Sequence, residues 1–79
     1  MEQFTTAEIK KIIKEQSSVE IERLITEYIH DKRNREIAKQ KLINNVAYEP
    51  LSETFGITPR HCFNIVKAAK KIIVEHIKA

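Results

Sequence analysis

The sequence has one glycine and two prolines among its 79 residues. Hairpin turns draw on glycine for positive backbone φ, so a fold built of β-hairpins is excluded, as is a flexible Pro/Gly-rich linker. A single glycine also cannot build a glycine-rich phosphate loop. The one cysteine, Cys62, has no partner for an internal disulfide and no Cys-x-x-Cys neighbour, a pattern that suits a reducing cytoplasm. No apolar run reaches the roughly 18 residues a transmembrane helix needs, so no membrane partner is expected. The opening MEQFTTAEIKK lacks the charged-then-apolar layout of a signal peptide. His30, His61 and His76 are too dispersed for a recognised metal motif, and the carboxylates of the N-terminal half have ordinary exposed spacing. No metal, no cofactor and no enzymatic activity are therefore expected. Aromatics are few, three Phe and two Tyr without Trp, which argues against the exposed aromatic cluster of single-stranded RNA readers.

What is present points to compact helices. A hydrophobic fraction of 42% is ordinary for a globular chain, and 32% charge supplies a well-solvated surface. At this length one small domain forms, residues 1–79, without room for a second core. The charge is unevenly spread. Residues 1–30 carry four Lys or Arg against six acids, a balance of −2, and residues 31–79 carry ten against five, a balance of +5. The positive half is the one a phosphate-binding surface would need.

Apolar periodicity and cap residues divide the chain into about five helices. The first spans Thr6 to Gln16, capped by Thr5 or Thr6, with Glu8 in its first turn and Ile9, Ile12 and Ile13 inward; Phe4 stands where it can staple against that stripe. Ser17 and Glu20 read as a capping box opening a second helix, which runs to His30 with Ile21, Leu24, Ile25, Tyr28 and Ile29 on one face. Asp31 caps a third helix to Ile43 with a thin stripe of Ile37, Ala38 and Leu42, ended by Asn44 and Asn45. A fourth runs from Tyr48 to Phe55 with Pro50 in its first turn. The fifth, from Pro59 towards Ile77, contains no breaker.

The segment YEPLSETFGITPRHCFNIVK, residues 48–67, is the most informative. Gly56 ends one short helix, and Thr58 as N-cap with Pro59 in the first helical position starts the next. Leu51, Phe55, Ile57, Cys62 and Ile65 are spaced so that the two helices pack at a steep angle across a short turn, the sequence form of a helix-turn-helix. On the fifth helix Cys62, Ile65, Val66, Ala69, Ile72 and Ile73 fall on one stripe. Arg60, Asn64, Lys67 and Lys71 lie within about 60° of one another on the other side. Arginine can read guanine and asparagine adenine, each with two hydrogen bonds. Arg60, Asn64 and His61 near the helix start are the candidate base contacts, and Thr58, Lys67 and Lys71 the candidate phosphate contacts. Cys62 is read as core filler rather than a nucleophile. Phe63, between the two faces, could pack under another helix, touch a thymine methyl or join a protein interface.

From Arg35 onward, REIAKQKLINNVAYEPLSETFGITPRHCFNIVKAAKKI resembles region 4 of bacterial sigma-70 factors and the related small helix-turn-helix regulators of phages and mobile elements of Gram-positive bacteria. The resemblance rests on Arg35-Glu36-Ile37 at the supporting helix, Tyr48, Leu51-Ser52, the Phe55-Gly56-Ile57 corner and Thr58 at the start of the recognition helix, and covers a little over half the chain. It implies an all-α DNA-binding unit in residues 31–79, beside an N-terminal helical pair in residues 6–30. Double-stranded DNA is the implied partner, with a homodimer or RNA polymerase in support. There are departures. Ala47 stands where a Ser or Thr cap is usual, Ser52 replaces an alanine, Asn44-Asn45 a glycine, Pro50 an acid and Gln40 an apolar residue. These fit a divergent member better than a working sigma factor, and nothing resembling sigma region 2 is present. An alternative from another class is a helix-turn-helix kept as scaffold for binding a host protein, with the acidic N-terminal helices or Phe63 as the interface.

Overall fold

Reciprocal bonding between Thr5 and Glu8 starts the first helix. The Thr5 Oγ1 accepts the Glu8 N–H at 3.1 Å, and the Glu8 carboxylate accepts the Thr5 N–H at 3.0 Å. The computed structural model describes residues 4–78. Within them lie five helices: α1 (Thr6–Lys14), α2 (Ser18–Tyr28), α3 (Lys32–Leu42), α4 (Tyr48–Phe55) and α5 (Pro59–Ile77). No strand occurs among the described residues, which are 77% helical and form an all-α fold with a long C-terminal helix.

The starts of four helices are set by side chains three residues back from the amide they bond. Besides Thr5, Ser17 caps α2 through Glu20 N–H, Asp31 caps α3 through Asn34 N–H, and Thr58 caps α5 through His61 N–H. Two expectations need correction. The full capping box belongs to Thr5 and Glu8, while that of Ser17 and Glu20 is only half made. The Glu20 carboxylate turns instead to Arg23, which also bonds Glu27 at 2.7 Å, so a stronger charge-assisted contact outcompetes the neutral amide. Both N-terminal helices also end about two residues early, at Lys14 and Tyr28.

Helix ends follow local chemistry too. Asn45 adopts φ 56°, the left-handed conformation that asparagine tolerates better than most residues, and closes α3 without the usual glycine. Gly56 adopts φ 67° and ψ 31°, and the Ile57 N–H returns to the Ser52 carbonyl at 3.1 Å. This bond satisfies a helix-end acceptor and turns the chain sharply into α5. Ala47 takes extended cap geometry but offers no side-chain bond to α4.

Helix α5 packs against all four others. Its first half joins Ile37 of α3 and Leu51 of α4 to Cys62, Ile65 and Val66. Its second half joins Ile21, Leu24 and Ile25 of α2, with Ile29 and Ala38, to Ala69 and Ile73. Each fully buried Ile or Leu contributes about 1.5–3 kcal/mol by leaving water, so α5 anchors both halves of the core. Ser52 is buried beside this crossing, and its hydroxyl donates to the Glu49 carbonyl at 2.7 Å, which removes the cost of a buried hydroxyl. Arg35 Nε donates to the Ile29 carbonyl at 3.0 Å, tying the end of α2 to α3. Among the described residues no helix is long and apolar enough to cross a membrane.

Candidate functional site

All six residues singled out on sequence grounds are exposed: Thr58, Arg60, His61, Asn64, Lys67 and Lys71. The burial of Cys62, Ile65, Val66, Ala69 and Ile73 on the other side of α5 fixes their direction. Arg60, Asn64, Lys67 and Lys71 form a ridge along the helix. Among the described residues, no carboxylate makes a salt bridge to any of them. Their charges and donors are therefore available for a ligand.

The structure divides the six between two concavities flanking this ridge. Thr58, Arg60, His61 and Asn64 line an open depression of about 500 Å³, together with Asn34 from α3. The Asn34 Oδ1 is buried without a hydrogen-bond partner, the one such side-chain atom among the described residues. Sequence reasoning missed Asn34, because nothing in the α3 pattern indicates which residue faces the start of α5. The Thr58 oxygen accepts the His61 amide, and its hydroxyl proton stays free to donate.

Lys67 and Lys71 line the other concavity, about 300 Å³, with Lys70, Phe63, Tyr48, Phe4, Thr6 and Ile9. Three of the five aromatic residues thus gather at one place, where the low aromatic content predicts no exposed aromatic cluster. Phe63 remains 46% exposed and meets the Tyr48 ring edge-on, with centroids 5.7 Å apart. It packs on one side only. The Lys41 ammonium sits over the other ring of this pair, 4.4 Å from the Tyr48 centroid, a cation–π contact. Burial pushes the Tyr48 hydroxyl above the ordinary tyrosine range, with the neighbouring Cys62 acting in the same direction. Lys70 is lowered from the ordinary lysine value by burial first, then by the positive charges of Lys10 and Lys41. Phe4, Ile9, Tyr48, Phe63, Lys67 and Lys71 each carried a signal in the sequence, but none that joined them at one place; Phe4 stands one residue before the Thr5 cap and shares the cavity wall with Ile9.

Cys62 is fully buried and unpaired, and burial raises its thiol pKa, with Arg33 opposing. No group of three or more His, Cys, Asp or Glu that could hold a metal occurs among the described residues. Comparisons with protein-family models, with curated proteins and with solved structures find no match to this chain.

Proposed function

We propose that the protein is a small sequence-specific DNA-binding regulator, related to sigma-70 region 4 and its phage-borne relatives, that inserts the start of α5 into the major groove. One observation carries this reading: an exposed Arg60–Asn64–Lys67–Lys71 ridge directly follows the tight turn at Gly56 and the Thr58 cap. Arg60, Asn64 and His61 would face base edges at the helix start, and Lys67 and Lys71 would meet phosphates further along. A single copy offers few contacts, so useful affinity calls for a homodimer on a two-fold site or for RNA polymerase as partner. Such a regulator would work in the cytoplasm.

Fluorescence-anisotropy titration against random duplex DNA tests the reading. Raising salt from about 50 to 200 mM should weaken binding steeply through counterion release. Absence of binding at the lower salt would reject it. A second reading, a helix-turn-helix scaffold that binds a host protein, is favoured by half-exposed Phe63 and by Val19, 77% exposed on α2 among Glu22, Arg23 and Glu27. It predicts no salt-sensitive DNA binding.

A further inference from the structure

The concavity beside Lys67 is built differently from the depression at the helix start. Its walls are apolar and aromatic, from Phe4, Ile9, Tyr48 and Phe63, and its rim is cationic, from Lys67, Lys70 and Lys71. Among the described residues no acidic side chain lines it. Its volume of about 300 Å³ lies at the small end of ligand pockets, enough for a one- or two-ring molecule and too little for a nucleotide cofactor.

We propose that this concavity binds a small aromatic acid, with its ring against Tyr48 and Phe63 and its carboxylate among Lys67, Lys70 and Lys71. Charge complementarity argues for an anion. Lys10 and Lys41 lie close enough to Lys70 to lower its proton affinity, and Lys41 sits over the Tyr48 ring, so Lys70 on the rim is under repulsion from cations behind it. A bound carboxylate relieves that repulsion. The geometry argues for an aromatic body. The edge-on Tyr48–Phe63 pair leaves ring surface uncovered, and further ring contacts add to the gain from burial. A single concavity of about 300 Å³ does not provide the run of stacking platforms along a basic groove that a nucleic acid single strand needs.

Lys67 and Lys71 are the same residues assigned to DNA phosphates. A bound acid would therefore compete with DNA and make the protein an effector-responsive regulator, a consequence that rests on the DNA-binding reading, whereas the pocket itself does not.

Titration with 2-naphthoate, followed by chemical-shift changes without DNA, tests the pocket. Shifts should concentrate at Tyr48, Phe63 and Lys67 to Lys71, and the uncharged 2-naphthamide should bind at least about tenfold more weakly. Phe63→Ala, at a half-exposed position outside the two core clusters, should lose about tenfold in affinity while circular dichroism stays native; Thr26→Ala on exposed α2 should bind as wild type. Lys70→Gln provides an independent loss. Equal binding of acid and amide, wild-type binding by both Phe63→Ala and Lys70→Gln, or displacement of naphthoate by oligo-dT more readily than by duplex would overturn the proposal. Duplex DNA then separates the two readings. Naphthoate binding in a protein that ignores DNA supports the pocket and rejects the DNA reading alone. DNA binding unaffected by saturating naphthoate overturns the effector role.

Discussion

Thr58 and His61 are joined by a 3.1 Å hydrogen bond from the His61 amide to the Thr58 hydroxyl oxygen, and this bond satisfies one of the amides that the first turn of α5 leaves without a helical partner. Thr58→Ala should cost about 1 kcal/mol of stability, with Thr58→Ser close to wild type, in urea denaturation at unchanged m-value. If the start of α5 contacts DNA, Thr58→Ala should also lower duplex affinity, because the helix start frays. Stability falling with no change in affinity would remove Thr58 from the interface.

Ala47 already holds φ −67° and ψ 156°, close to the φ −75° and ψ 154° of Thr58, yet has no side-chain acceptor to offer. Ala47→Ser should therefore stabilise the protein by about 0.5–2 kcal/mol without rearranging the backbone. An unchanged denaturation midpoint would show that the α4 amides are already satisfied by water.

Arg60 and Lys71 share the ridge but are assigned different tasks. Arg60→Ala should cost about 1–3 kcal/mol on the preferred sequence and less on random DNA, whereas Lys71→Ala should weaken both alike. With Lys67 and Lys71 on phosphates, a fourfold rise in salt should reduce affinity by about 12-fold per subunit. Equal losses on both DNAs for Arg60→Ala would end its base-reading role.

Two exposed carboxylates hold pKa values below their ordinary 4.5. Glu8 is lowered by the Thr5 backbone N–H and then by its side chain, and Glu20 by hydrogen bonding to Arg23. A carboxylate with a depressed folded-state pKa binds fewer protons folded than unfolded. Its stabilisation is thus complete above about pH 4.5 and lost as pH falls through the lower folded value. Thermal melts from pH 7 downward should show stability declining in that window. Arg23→Gln should flatten the part due to Glu20. A pH profile identical to wild type would mean that Arg23 holds Glu20 only transiently in solution.

The helices were legible because their signals are local. Thr5, Ser17, Asp31 and Thr58 bond amides three residues ahead, and the α5 stripe repeats at helical spacing, so both can be read within one or two turns of chain. The competition of Arg23 with the Ser17 cap for Glu20 was not legible. Both arrangements are local, and only their relative strength decides. The exposed ridge was likewise readable, since burying Cys62, Val66, Ala69 and Ile73 forces Arg60, Asn64, Lys67 and Lys71 outward.

By itself, then, the sequence determined the five helices, the turn at Gly56 and the outward face of α5, all consequences of hydrogen bonds and periodicity a few residues long. Tertiary structure alone decided what flanks that face. It brings Phe4 from before α1 and Tyr48 from the start of α4 to the Lys67–Lys71 stretch, and Asn34 from α3 to Thr58. It also stacks Tyr28 on His76 with ring centroids 3.5 Å apart, across 48 residues of chain. Such neighbours are selected by how five apolar stripes share one core, and no local pattern along the chain encodes which side chains that packing leaves next to one another.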